Sequence, residues 1–458
     1  MQDASPTSPA TSASVAPVDV GRPDAIEPSQ AEVLHRSRNA SVRIPILDGI
    51  RASAAILVFL GHATVLTGLT PLDTLWRRLL TLNGLGASVF FVLSGFLVTE
   101  VLVKADRSPR YFFWNFYARR ALRLLPLYWA LIFFSFVILP NLPANLPMFD
   151  VLAKKMPRFL EASPNQWMYW SGLANFAIQK AGGWKHGILD VSWSLAIEFQ
   201  FYVCWPLFIY FLSRRQVVWL SLVMIFGSLA FRLLAIYQWG YTPVQVYVST
   251  FARLGAFGTG SLVCLVLRDP QFLLRIRPIA TTAALLVLPT IWGLMWFEDA
   301  YGSSYLNRYG LNGGPLSYSV LNTIVGIGVG GLIVRALAAT EQGRLSRVFS
   351  SKPLASFAKY SYAFFLFHLP IRAAIRDLCF GPARAADAHY PLVVWPTVWG
   401  SQIPSQLVFY VISFVASFFA AFLAWHLYEK HWLKFNRYFP SRPRTSKPAI
   451  SEARPGGG

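Results

Sequence analysis

The segment IPILDGIRASAAILVFLGHATVL, residues 44–66, decides how this chain is read. Coiled as a helix at about 1.5 Å per residue, it is long enough to cross roughly 30 Å of hydrocarbon. Yet it carries Asp48, Arg51 and His62. A charged side chain at the centre of a membrane costs about 2.5–3.5 kcal/mol on insertion scales, so each one needs a reason. At about 100° per residue, Arg51 and His62 point within about 20° of each other, roughly 16 Å apart along the axis. Asp48 lies within about 60° of Arg51 and is placed to pair with it. One helix face therefore presents a cation near one end and an imidazole near the other. The competing reading of His62 is a core histidine bonded to a neighbour.

Nine further apolar segments of spanning length follow, near 79–103, 124–142, 192–212, 217–237, 248–267, 279–297, 316–339, 357–378 and 404–427. Hydrophobic residues make up 55% of the chain and charged residues 14%, against roughly 25% charge in a soluble domain. Mean hydropathy is +0.44. These values exclude a soluble globular enzyme, a disordered chain and a coiled coil. The expected fold is all-α, a polytopic membrane protein of about ten transmembrane helices.

The net charge of +20 admits nucleic acid as a partner. Lys and Arg, however, sit between the apolar runs, as membrane topology demands, so the expected partner is the lipid bilayer and not nucleic acid. With ten spans, one side collects Arg36, Arg38 and Arg43, the 104–123 loop with Lys104, Arg107, Arg110, Arg119, Arg120 and Arg123, then Arg214, Arg215, Arg268, Arg275, Arg277, Arg344, Arg347, Lys352, Lys430, Lys434 and Arg437. The positive-inside rule makes that side the cytoplasm and puts both termini there. The stretch 143–191 holds Lys154, Lys155, Arg158, Lys180 and Lys185 on the other side, but a long segment bears less on orientation. Within it, Trp167 to Ile178 reads as an aromatic-rich helix along the membrane surface. Residues 1–43 read as a disordered cytoplasmic tail without the apolar core of a signal peptide, 44–437 as the membrane domain, and 438–458 as a second tail. Cys204, Cys264 and Cys379 fall in apolar segments and give neither a disulfide framework nor metal-ligand spacing, so no metal is expected.

The fourth span opens with Ser192, Trp193, Ser194 and Glu198. Counted from the helix ends, His62 lies about 27 Å along an outward helix and Glu198 about 9 Å along an inward one. Both then fall in the outer half, where a carboxylate would orient the imidazole and raise its basicity for general-base work. The competing reading pairs Glu198 with Arg232 or Arg253. Ser192 and Ser194 read as caps of the helix start. No Gly-x-Ser-x-Gly elbow is present, so a serine triad is unsupported. Arg120 and Arg123 share a helix face at the membrane border, where arginine pairs phosphate bidentately; the alternative is a headgroup anchor. Gly84, Gly86 and the run Phe90 to Phe96 suit close helix packing. Tyr360, Ser361 and His368 are polar groups at mid-membrane depth, suited to hydrogen-bonded packing.

Taken in order, these pieces resemble the membrane acyltransferase-3 family. Arg51 and His62 match its Arg-x10-His in helix 1, within Leu47-Asp48-Gly49-Ile50-Arg51-Ala52. Phe90 to Phe96, Arg119 to Pro126, Trp193-Ser194-Leu195 with Glu198, and Tyr360-Ser361-Tyr362 through His368-Leu369-Pro370 follow in sequence. The resemblance covers roughly residues 45–435. It implies a multi-pass enzyme of the bacterial inner membrane that takes an acyl group, usually acetyl, from cytoplasmic acyl-coenzyme A. Acyl-coenzyme A is then a co-substrate, and no cofactor is held permanently. The acceptor is a hydroxyl of a glycan or glycolipid at the outer face, with lipopolysaccharide O-antigen, exopolysaccharide, lipochitooligosaccharide, peptidoglycan and glycosylated small molecules all open. In this reading His62 deprotonates the acceptor hydroxyl or is transiently acylated, Glu198 orients it, and Arg51, Arg119, Arg120 and Arg123 hold the donor. Asp48, Ser192, Trp193, Ser194, Tyr360, Ser361 and His368 support the site. The rival reading is a transporter or flippase, since midplane ionisable residues also serve ion pathways; inverted repeats would favour it, and none is visible.

Overall fold

The computed structural model describes residues 44–66, 68–80, 83–141, 163–184, 187–266, 268–300, 315–338, 343–380 and 396–440. The expected tail 1–43, residues 441–458 of the second tail, and Lys154, Lys155, Arg158 and Lys185 lie outside the described residues. Helix α1 is Pro45–Ala63, α2 Pro71–Leu80, α3 Asn83–Lys104 and α4 Asn115–Phe133. Helices α5 (Gln166–Trp170) and α6 (Ala174–Ala181) lead into α7 (Ser192–Phe211), α8 (Arg214–Tyr237), the short α9 (Pro243–Tyr247) and α10 (Thr250–Val266). Then come α11 (Pro270–Ala300), α12 (Pro315–Leu337), α13 (Arg344–Phe349), α14 (Lys352–Phe380), α15 (Ile403–Ala424) and α16 (Lys430–Leu433). Among the described residues, nine helical segments are long and apolar enough to cross a membrane. The one expected span outside these nine, 357–378, is α14, whose Lys359, His368, Arg372 and Arg376 reduce its hydropathy. Its 29 residues reach about 43 Å at 1.5 Å per residue, and it packs between α1 and α15.

Without a hydrophobic drive between helices in lipid, small residues decide where backbones meet. A Cβ on Gly260 of α10 would lie 1.9 Å from the Val92 carbonyl oxygen of α3, and one on Gly95 2.2 Å from that of Phe257. Only glycine permits this crossing. Gly86 plays the same part against α1, where a Cβ would meet Val58 Cγ2 at 2.2 Å. The sequence reading of Gly86 as a packing residue therefore holds.

Two expectations change. The stretch 104–123 is mostly helix and not loop. After a turn at 105–109, a π-helical turn at Arg110–Trp114 runs straight into α4. Arginine and leucine are good helix formers, and long arginine stems lie along apolar surface with their heads free. The stretch Trp167 to Ile178 is two short helices, broken where Gly172 takes φ 73°, and α6 packs against α7. Asn175 is buried there; it donates to Thr250 Oγ1 at 3.0 Å and accepts from Gln200 Nε2 at 2.9 Å. Buried amide partners, absent from any count of aromatic residues, draw this segment into the bundle.

Candidate active site

His62 is the next-to-last residue of α1, and His368 sits at the matching depth of the parallel helix α14. His62 Nδ1 lies 2.8 Å from His368 Nε2, and the rings stack with centroids 5.1 Å apart. His368 Nδ1 lies 2.7 Å from the Phe365 carbonyl oxygen. That oxygen can only accept, so Nδ1 of His368 carries a proton and, in the neutral ring, its Nε2 accepts. His62 must then donate from Nδ1, which leaves its Nε2 with a free lone pair. Arg372 donates to the backbone carbonyl of His62. The pairing places His368, singled out from the sequence as a packing residue, directly on His62.

The chain just past His62 is tied down from α15. Gln406 donates to the Ala63 carbonyl and accepts from the Val65 amide, both at 2.9 Å, and Thr64 Oγ1 meets Tyr410 OH at 2.6 Å. Below them, buried Asp73 accepts from Ser401 Oγ at 2.7 Å and from the amides of Thr70 and Gln402 at 3.0 and 3.1 Å. Burial pushes the Asp73 carboxyl up, but these hydrogen bonds outweigh it and hold it below its ordinary value.

Glu198 does not reach His62. It accepts from Ser94 Oγ of α3 and from Tyr202 OH one turn along α7. Ser94 lies eight residues past Gly86, and His62 four residues past Val58 in the opposite sense, so the two levels are about 18 Å apart. The expected orientation of His62 by Glu198 is thus replaced by His368. Counting from helix ends failed because the ends are not level across the bundle. The alternative ion pairs fail too. Arg232 donates to Ser228 and Thr323 hydroxyls and to the Ser319 and Ala252 carbonyls, and Arg253 to the Tyr247 carbonyl and Asn322.

The other end of α1 gathers arginines. Arg51 pairs with Asp48 at 3.7 Å, as the spacing suggested. Arg120 lies over the rings of Tyr202 and Phe116 at 5.2 and 5.5 Å. Arg123 feels the charges of Arg51, Arg120 and Glu429. Arg119 is the exposed member of the group. Glu429 escaped the sequence reading, which ended the last span at residue 427. It is buried at the end of a π-helical turn, Trp425–Glu429, and its Oε1 has no hydrogen-bond partner among the described residues. Such turns recur at functional sites, but their sole sequence trace here is a carboxylate closing an apolar run. Tyr362 lies near both carboxylates: its hydroxyl donates to the Leu124 carbonyl at 2.6 Å, and its neighbours in charge include Glu429, Glu198 and Arg123.

The remaining supporting residues are local. Ser192 and Ser194 donate back to the carbonyls of Leu189 and Val191 at 2.5 and 3.1 Å, so they do not cap α7 as expected. At the turn into α7 their hydroxyls find those carbonyls within three residues. Ser361 likewise donates to the Ala358 carbonyl at 2.9 Å. Tyr360 OH meets His426 Nε2 at 3.4 Å. Trp193 packs against Phe91 and Tyr247.

A sequence profile described as an acyltransferase domain matches residues 44–426. The chain belongs to the acyltransferase-3 family. The match takes in α1 through all of α15, hence both histidines, Glu198 and the arginines, and stops short of Glu429. The chain is similar to the peptidoglycan O-acetyltransferase OatA of Listeria monocytogenes, at 29% identity over 72% of this chain and 49% of that protein. The putative peptidoglycan O-acetyltransferase YrhL of Bacillus subtilis and the O-acetyltransferase OatA of Staphylococcus aureus are each 27% identical over 72% of this chain, covering 48% and 50% of theirs. This family member thus matches about half the length of those relatives. No solved structure matches. Family and fold together make it a multi-pass membrane protein.

Proposed function

We propose that this protein is a membrane-bound O-acyltransferase of the bacterial cytoplasmic, or inner, membrane. It moves an acyl group, acetyl first among the candidates, from cytoplasmic acyl-coenzyme A to a hydroxyl of an extracytoplasmic glycan or glycolipid. Peptidoglycan-type glycan is the first acceptor to test, because the similar proteins are named for it. The observation that carries the reading is the free Nε2 of His62 at one end of a helix whose other end joins the arginine cluster.

With the basic loops in the cytoplasm, Arg51, Arg120 and Arg123 meet the donor phosphates. Glu198, Ser94 and Tyr202 lie beside the arginines, with Arg120 over the Tyr202 ring, where a carboxylate accepts from the amide groups of the donor's pantetheine arm. His62 Nε2 takes the proton of the acceptor hydroxyl as its oxygen attacks the thioester carbon. The carbon–sulfur bond then breaks, and the coenzyme A thiolate leaves and takes up a proton. The positive charge that forms on His62 is shared with His368 through the Nδ1–H···Nε2 bond. Incubating membranes that contain the protein with labelled acetyl-coenzyme A tests this. Label in the glycan supports transfer; glycan translocation without label supports a flippase instead.

A further inference from the structure

Arg253, the fourth residue of α10, keeps only 1% of its surface exposed. Its guanidinium lies over the Tyr247 ring at 4.2 Å and 5.2 Å from the Trp193 ring. Nε donates to the Tyr247 carbonyl at 2.8 Å and Nη1 to Asn322 Oδ1. Nη2 is buried and, among the described residues, has no hydrogen-bond partner. The groups that hold Arg253 are therefore a carbonyl, an amide and two rings, all neutral. Arg232, close enough to add its own positive charge, is held by hydroxyls and carbonyls alone. Arg232 spends its donors on the fold, whereas Arg253 keeps one nitrogen in reserve, and a buried cation without a counter-charge is costly.

This cluster lies on the His62 side of Glu198, roughly 10 Å from the His62 level along the bundle. Asn322 Oδ1 also accepts from Ser88 Oγ at 3.2 Å, and Ser88 is two residues past Gly86, which abuts Val58 one turn before His62. Phe91, on the same helix as Ser88, packs against Trp193 with ring centroids 5.9 Å apart.

We propose that Arg253 Nη2, together with the side-chain amide of Asn322, binds an anionic group of the acceptor, a carboxylate or a phosphate ester. Fixing that group positions a sugar hydroxyl toward His62, so the inference rests on the transferase reading and narrows its substrate class to acidic glycans or phosphate-linked glycolipids. A guanidinium with a free nitrogen suits either anion. Entry requires the Trp193 ring to move off the guanidinium.

Equilibrium binding to the purified full-length protein in nanodiscs tests the site without relying on catalysis. Three probes are compared: a short glycan with a free sugar carboxylate, the same glycan as its methyl ester, and the uncharged glycan attached to a lipid phosphate. The wild type should bind one of the two anionic probes at least about tenfold more tightly than the ester, a difference that one charge-assisted contact supplies. Which probe it prefers tells the sugar carboxylate from the lipid phosphate. Asn322→Asp sets a carboxylate against Arg253 and should abolish that preference with thermal stability kept. Equal binding of all three probes by the wild type overturns the proposal without reference to any variant. So does an undiminished preference in a folded Asn322→Asp protein. If the preference exists and Asn322→Asp removes it, yet no probe is ever acylated, the anion site stands and the transferase reading is what fails.

Discussion

Replacing His368 by phenylalanine isolates what the histidine pair contributes. The new ring fits a site already bordered by Phe364 and Phe365, whose rings stack or tilt against His368 at 6.3 and 5.7 Å. What disappears is the acceptor for His62 Nδ1–H, now 2.8 Å away. A hydrogen bond to a charged group is worth about 1.5–3 kcal/mol. At 1.36 kcal/mol per tenfold in rate, its loss from the transition state lowers kcat roughly ten- to 150-fold. The donor KM should stay put, because the arginine cluster lies at the far end of α1. His368→Gln should fall between, since its amide oxygen still accepts and orients but cannot share the proton. Adding His368→Phe to His62→Ala should cost nothing further, the signature of two residues acting through one bond. The assay is transfer of labelled acetyl from acetyl-coenzyme A to glycan by purified protein, with thermal stability recorded for each variant. A stably folded His368→Phe protein whose kcat stays within about threefold of wild type would refute the pairing.

Arg123→Ala should weaken donor binding about tenfold or more, the value of a charge-assisted contact, while Arg119→Ala changes it little, as isothermal titration with acetyl-coenzyme A can show. Glu429→Gln should tighten the same binding, because it removes the carboxylate that offsets Arg123; weaker binding would count against a shared phosphate site. Asp73 has a folded pKa below its unfolded one, so its stabilisation is complete above about pH 4, the ordinary aspartate range, and fades as pH falls through the folded value. Asp73→Asn should therefore lower Tm at neutral pH and flatten the acid limb of the Tm–pH curve, measurable by thermal unfolding in detergent.

Local signals in the sequence translated well. Apolar runs gave the spanning helices, because burying or lipid-facing a twenty-residue helix leaves a mark on every residue in it. The Asp48–Arg51 pair was legible because three residues along a helix fix its geometry. The His62–His368 bond was not, since 306 residues separate its ends and no periodicity connects them. Glu198 was misplaced by depth for a related reason: helix ends in this bundle are staggered, and α6 packs beside α7 near Gln200. Glu429 was missed because a π-helical turn carries the last helix past the point where its apolar run stops.

The most direct test of the account is a sided transfer assay. The purified protein is placed in sealed proteoliposomes, with labelled acetyl-coenzyme A offered on the side of Arg51 and Arg123 and the glycan on the side of His62. The wild type should place label in the glycan across the membrane, and a folded His62→Ala variant should not. Near-normal transfer by that variant, or transfer only when donor and acceptor share a side, would contradict it.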